Sequence, residues 1–192
     1  MTNASETPAA MIVIVGPSGA GKDSLMAFAA DRLGGRPDIG FVRRVITRPA
    51  DAGGEAHHAA SDDAFAAMAA AGQFAVAWRA HGHHYGIPGD TLDAVLSGRT
   101  LIVNGSRAAL ADFLAVYPRV EVVHISASRE RLCERLMARG RETAADILAR
   151  LDRPSPPFPA GVQVHDIDNS GELADAGRQL VVLIEAIAAR TL

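Results

Sequence analysis

The run Gly16-Pro17-Ser18-Gly19-Ala20-Gly21-Lys22-Asp23-Ser24 follows directly on the apolar stretch Met11-Ile12-Val13-Ile14-Val15. Its spacing, G-x-x-x-x-G-K, confines the local fold to a buried strand, a tight glycine-rich loop and the first turn of a helix. Glycines permit dihedrals that turn successive backbone N–H groups inward, which makes a concave nest for an anion. The helix that follows adds the partial positive charge of its N-terminus. Gly16, Ser18, Gly19, Ala20, Gly21, Lys22, Asp23 and Ser24 are therefore the candidate residues for nucleotide phosphate. Composition sharpens the role of Lys22. The chain has 19 lysines and arginines, and Lys22 is the only lysine. That exception sits where a compact, flexible ammonium suits the β- and γ-phosphates better than a planar guanidinium fork.

The residue after the lysine is normally Ser or Thr, whose hydroxyl reaches Mg²⁺. Here it is Asp23, with Ser24 next. A carboxylate is also a hard oxygen ligand for Mg²⁺. It is equally a favourable charge at a helix start, and the residue types alone leave both roles open. Asp23 and Ser24 are the candidate metal ligands.

A chain of 192 residues, 48% hydrophobic, can bury one substantial core over residues 11–192. The formal charge of −3 offers no field for nucleic acid or an anionic membrane. No apolar run is long enough to span a bilayer. Residues 1–10 are small and polar without a signal-peptide core, and read as a disordered leader. The single cysteine, Cys133, excludes an internal disulfide and suits a reducing cytoplasm. Nothing in the sequence addresses oligomeric state.

Along the chain, the loop opens a helix over Lys22–Leu33 that Gly34-Gly35 ends. The segment Phe41–Pro49 starts as a strand and carries Arg43, Arg44 and Arg48, whose forks suit phosphate oxygens. A solvated edge strand is the competing reading. A glycine-rich loop over 51–60 holds Glu55, His57 and His58. Ser61 caps a helix to about Ala71, Phe74–Arg79 is extended, and His81–Pro88 reads as turn-rich. Five of the seven histidines lie in 57–84, but none forms an i, i+4 pair and no cysteine joins them. Substrate contacts or plain surface positions fit them better than a metal centre. A short helix covers Thr91–Ser97, strands cover Leu101–Val103 and Val120–Ile125, and a helix over Ala108–Val116 lies between them. Apolar strands interleaved with helices predict an α/β fold, a parallel sheet covered on both faces. Its ligands collect beyond the carboxyl ends of the strands, where the loop, Arg48 and Asn104 fall. The predicted helix Arg129–Arg139 turns Leu132 and Leu136 inward and Arg131, Glu134 and Arg135 outward. The arginine-dense stretch 139–153 reads either as a lid that excludes water or as a solvated charged face. A proline-rich connector carries no legible role. The strand Val162–Ile167 leads to a last helix with Leu173, Leu180, Ile184 and Ile187 on one face.

With these pieces in place, the chain resembles the guanylate-kinase-like group of small P-loop kinases over about residues 11–190. The matching motifs are Gly16–Leu25 apart from Asp23, Thr47-Arg48, Gly72-Gln73-Phe74, Gly82-His83-His84-Tyr85-Gly86, Arg139-Gly140 and Arg150-Leu151. Where true guanylate kinases read guanine with acids and a hydroxyl, this sequence has Val76, Ile87-Pro88, and Asn104 with Ser106. The stretch from Arg43 to Glu55 and the loop with Lys-Asp-Ser are more similar to the ribose 1,5-bisphosphate phosphokinases of phosphonate degradation. That resemblance implies ATP and Mg²⁺ as cofactors and ribose 1,5-bisphosphate as acceptor. It implies catalytic roles for Lys22, Arg139 and Arg150, and a nucleotide contact at Asn169. It implies acceptor contacts from Arg44, Arg48, Glu55, His57, Tyr85 and Asn104, with an acceptor region at about 43–90. A nucleoside monophosphate kinase and a non-catalytic binding module are the alternatives.

Overall fold

The computed structural model describes residues 8–49, 55–140, 143–152 and 155–190. A central sheet carries five parallel strands in the order β2-β7-β1-β8-β9, and a second sheet carries four in the order β4-β3-β6-β5. In the first sheet these are β1 (Met11–Val15), β2 (Ile39–Phe41), β7 (Thr100–Asn104), β8 (Val120–Ser126) and β9 (Gln163–Asp168). In the second they are β3 (Val45–Ile46), β4 (His58–Ala59), β5 (Phe74–Ala80) and β6 (His83–Pro88). The centre of the main sheet is β1, paired with β7 on one side and β8 on the other, and every one of its five residues is fully buried. Each aliphatic side chain so buried contributes about 1.5–3 kcal/mol relative to exposure.

The strand alternation divides the core into two layers. Ile12 and Ile14 face α1 (Lys22–Leu33) and α7 (Leu173–Ala188), packing with Leu25, Ala29, Leu180 and Ile184. Met11, Val13 and Val15 face the opposite side with Val95, Leu110 and Phe113. Those residues come from α3 (Asp90–Leu96) and α4 (Leu110–Val116), the latter entered through a 3-10 turn at Arg107–Ala109. Helices α1 and α7 approach closely at Gly177, where a Cβ would meet the Phe28 ring at 2.5 Å.

The second sheet, inserted between β2 and β7, is covered on its outer side by α2 (Asp62–Ala70). Ser61 caps that helix by accepting from the Ala64 N–H at 3.1 Å, and Phe65 stacks on Phe74 at 4.6 Å. On the inner side, Val76 and Ile87 join the core layer of Val13 and Phe113. Past β8, α5 (Arg129–Ala138) and α6 (Ala144–Leu151) form the arginine-dense excursion. The proline-rich connector docks back through Phe158, with the Arg107 guanidinium 4.2 Å from its ring centre.

The segment Phe41–Pro49 passes between the sheets: β2 ends at Phe41 in the main sheet, and β3 lies in the other sheet. Three expectations are corrected. His81–Pro88 is not turn-rich throughout. Only His81 and Gly82, both with positive φ, make the turn, and β6 follows antiparallel to β5. This two-residue connection matches hairpin twist. Ala9 and Ala10 are buried rather than part of a loose leader, because the Ala10 carbonyl accepts from the Leu101 N–H at 2.9 Å. Leu173 is 39% exposed rather than on the buried face of α7, because it precedes the turns that touch the sheet. Residues 1–7, 50–54, 141–142, 153–154 and 191–192, together with the side chain of Arg150, lie outside the described residues.

Candidate active site

The glycine-rich loop hangs from the carboxyl end of β1, held by neighbours on two elements. Gly16 lies against β8, where a Cβ would collide with the Ile125 carbonyl oxygen. Gly21, at φ 89°, lies against the Asn169 amide. Any side chain at either position would push the loop off the strand ends. Asn169, 1% exposed, donates from Nδ2 to the Ala20 carbonyl at 2.7 Å. Its Oδ1 is buried without a partner among the described residues.

Lys22 opens α1, and its ammonium turns back into the loop, donating to the carbonyls of Gly16 at 2.8 Å and Pro17 at 3.0 Å. Burial pushes its pKa down to about 8 from 10.5. The Asp23 and Glu55 carboxylates oppose that shift, while the positive charges of Arg44 and Arg139 add to it. Phosphate oxygens entering the loop would favour the charged form, so the ammonium is placed to meet an anion. Asp23 occupies the first turn of α1, but the helix cap is Gly21 and makes no side-chain capping bond. The Asp23 carboxylate instead accepts from Asn104 Nδ2 at 2.7 Å. Ser24, next along, is exposed.

Expected to face outward, Arg135 reaches inward. It donates from Nη1 to the Gly19 and Ala20 carbonyls, 3.4 Å each, and from Nη2 to the Asn169 carbonyl at 2.9 Å. Sequence reasoning read it as solvated because it carries charge. Its place beside the buried stripe Leu132 and Leu136 was the available signal, since a long guanidinium stem can cover that flank. Arg139 caps the C-terminal end of α5 and is exposed.

Facing the loop, Arg44 is 8% exposed and donates from Nε to Glu55 Oε1 at 2.7 Å, with Nη2 engaging the same oxygen. Its guanidinium lies 4.9 Å from the Tyr85 ring centre and 5.7 Å from that of Trp78, whose ring stacks on Tyr85. Trp78 was missed in the sequence, although it shares a strand face with Val76 two residues earlier. His57 packs under Arg48. Its Nε2 lies 3.1 Å from the Arg48 carbonyl oxygen and its Nδ1 3.0 Å from that of Glu55. The Arg48 Nε is buried without a partner among the described residues. Asn104, at the end of β7, joins the two halves by donating also to Glu55 Oε2 at 2.9 Å. Lys22, Asp23, Asn104, Glu55, Arg44 and Tyr85 thus form one contiguous constellation. His57 and Arg48 border it through Glu55. His83 and His84 lie apart, on Thr47 and Asp62.

No family model matches the chain. It is 48% identical over 179 residues to the ribose 1,5-bisphosphate phosphokinase PhnN of Rhizobium etli (strain CIAT 652), covering 93% of this chain and 91% of that protein. It is 49% identical to the ribose 1,5-bisphosphate phosphokinase PhnN of Agrobacterium fabrum (strain C58 / ATCC 33970), covering 91% of this chain and 96% of the relative. The chain belongs to the ribose 1,5-bisphosphate phosphokinase family. Among solved structures, a guanylate kinase from Anaplasma phagocytophilum matches with a TM-score of 0.65 at 18% identity, covering 94% of this chain and 87% of that one. That likeness is one of fold, a P-loop kinase sheet with an inserted second sheet. In this ribose 1,5-bisphosphate phosphokinase family member, Val76 is 3% exposed and Ile87 is fully buried within the core layer.

Proposed function

We propose that the protein transfers the terminal phosphoryl group of ATP to ribose 1,5-bisphosphate, giving 5-phosphoribosyl 1-diphosphate and ADP. An oxygen of the 1-phosphate attacks the γ-phosphorus. The bond to the β-phosphate oxygen breaks, and ADP leaves with that electron pair. The attacking oxygen belongs to an already ionised phosphate, so the reaction needs positioning and charge neutralisation rather than a strong general base. Lys22 serves the β- and γ-phosphates from within the loop. Arg139, with Arg150 on α6, supplies further positive charge from the lid region at 139–153. Arg44 and Arg48 face the acceptor phosphates, with Glu55, His57, Tyr85 and Asn104 orienting them. Asn169 supports the nucleotide side through Ala20.

The donor set fits Mg²⁺. Asp23 offers a carboxylate and Ser24 an exposed hydroxyl, both hard oxygens at the helix start. These two residues would hold the ion, which when bound would neutralise charge on the transferring phosphates. The single free cysteine, Cys133, fits work in a reducing cytoplasm. Among the described residues no helix is long and apolar enough to cross a membrane.

The observation that carries the choice of acceptor is the burial of Val76 and Ile87. A guanine edge brought against them would leave its polar groups unmatched, at about 1–3 kcal/mol per group. A sugar bisphosphate offers phosphates and hydroxyls but no base. The test is an acceptor panel with Mg-ATP, followed by phosphorus NMR. Ribose 1,5-bisphosphate is expected to be turned over far better than GMP, and ribose 5-phosphate to fail for want of the attacking 1-phosphate. Efficient GMP phosphorylation without turnover of the sugar bisphosphate overturns the assignment in favour of a nucleotide kinase.

A further inference from the structure

Asn104 has one side-chain nitrogen with two N–H bonds, and the fold commits both. One goes to Asp23 Oδ1 at 2.7 Å and the other to Glu55 Oε2 at 2.9 Å. The residue is 5% exposed and sits at the end of a rigid strand, in register with Ile14. The next residue, Gly105, donates its N–H to the Ile14 carbonyl at 2.8 Å, and a Cβ there would collide with Val13. The amide therefore stands on a post that cannot shift along the strand. Asp23 adjoins Lys22 in the loop. Glu55, on its other oxygen, holds Arg44, and Arg44 lies against Tyr85 and Trp78. A single amide thus joins the loop on the main sheet to the arginine and aromatic pair of the second sheet.

We propose that Asn104 is a positioning residue that couples the nucleotide side of the site to the acceptor side, setting the aim of Arg44 through Glu55 according to what occupies the loop. The inference rests on the phosphoryl-transfer reading for what the two sides bind. An amide suits this position because both partners are carboxylates and its one nitrogen carries two N–H donors. When Asp23 turns toward a phosphate-bound cation, the Asn104 amide is released from one of its two partners. Its hold on Glu55, and so the commitment of Arg44 to Glu55, changes with it. The coupling is reciprocal, as any such linkage must be.

Trp78 is the only tryptophan of the chain, and it lies on the acceptor end of this relay. Its emission therefore reports the coupling without any acceptor or turnover. Wild type, Asn104→Ala, Asn104→Asp, Glu55→Ala and the Asn104→Ala/Glu55→Ala double variant are titrated with a non-hydrolysable ATP analogue and Mg²⁺, with affinity read by calorimetry. In wild type the analogue is expected to change Trp78 emission. In Asn104→Ala that change is expected to be lost while the analogue's Kd moves by less than about threefold. In turnover, the acceptor KM of Asn104→Ala should rise about tenfold or more, with the ATP KM far less affected. The double variant should be no worse than Glu55→Ala alone, because both substitutions cut one relay. Asn104→Asp keeps the side-chain size but removes the two N–H donors, so it should lose the emission response as Asn104→Ala does. An unchanged emission response in both Asn104 variants, or additive losses in the double variant, overturns the proposal. Glu55→Ala cuts the relay from the more exposed end, so it decides the matter should Asn104→Ala fail to fold. If wild type does not turn over ribose 1,5-bisphosphate, the phosphoryl-transfer reading falls alone. The emission and calorimetry arms still decide the coupling.

Discussion

At the scale of single residues, the ammonium of Lys22 is held out of water by the carbonyls it needs before any phosphate arrives. Desolvation is the larger effect there, and it lowers the pKa to about 8 against 10.5. Below about pH 8 the folded and the unfolded chain both carry the proton, and the fold bears the cost of burying the charge. Between about 8 and 10.5 the folded chain has lost the proton while the unfolded chain keeps it, so the stability linked to this group rises with pH. Lys22→Met removes the buried charge and keeps an unbranched stem. It should therefore abolish this pH-dependent component, while the loss of its bonds to the Gly16 and Pro17 carbonyls offsets the relief at neutral pH. The same substitution should slow turnover by about a hundredfold or more, because charge stabilisation of the transferring phosphoryl group is lost. Calorimetric scans at neutral and alkaline pH, beside steady-state rates, check both halves. A Tm that falls with no loss of rate would show that the ammonium only props up the loop.

Among the elements, α5 bears on the loop more directly than its charge pattern suggested. Leu132 and Leu136 bury its apolar stripe, while Arg135 carries three hydrogen bonds to backbone carbonyls of the loop and of Asn169. The base of the proposed lid and the crest of the loop are thereby one mechanical unit. Arg135→Ala should remove the guanidinium's donors to the Gly19 and Asn169 carbonyls and leave Ala20 with Asn169 alone, at a cost of about 1–3 kcal/mol. It should speed amide exchange across the glycine-rich loop and raise the ATP KM by about tenfold, with little effect on the acceptor KM. Unaltered exchange at the loop amides would mean that Asn169 and the β8 carbonyl suffice to hold it.

For the molecule as a whole, the two sheets share one core layer, to which Val76 and Ile87 belong. Ile87 is the clearest case, since it is fully buried and belongs to both the hairpin and that layer. Ile87→Ser should cost about 2–5 kcal/mol, through the cavity it leaves and the hydroxyl it buries, without creating GMP kinase activity. A stable Ile87→Ser protein that phosphorylates GMP would show instead that this face is a base pocket. Much of this architecture is local, and so was legible in the residues. The strand, loop and helix from Met11 to Leu33 follow from apolar run, glycine spacing and helix propensity within about twenty neighbouring residues. So do the Ser61 cap and the buried strands. What escaped the sequence depends on contacts between residues far apart in the chain. The break between β2 and β3 arises because one segment hands the chain from the first sheet to the second. The inward turn of Arg135 arises because loop carbonyls more than a hundred residues earlier in the chain come within reach of its guanidinium. The double commitment of Asn104 requires Asp23 and Glu55 to arrive from two different sheets' approaches at one amide. Sequence patterns record which side chains prefer water and which backbone turns are cheap, whereas hydrogen-bond partners are settled only when the layers pack.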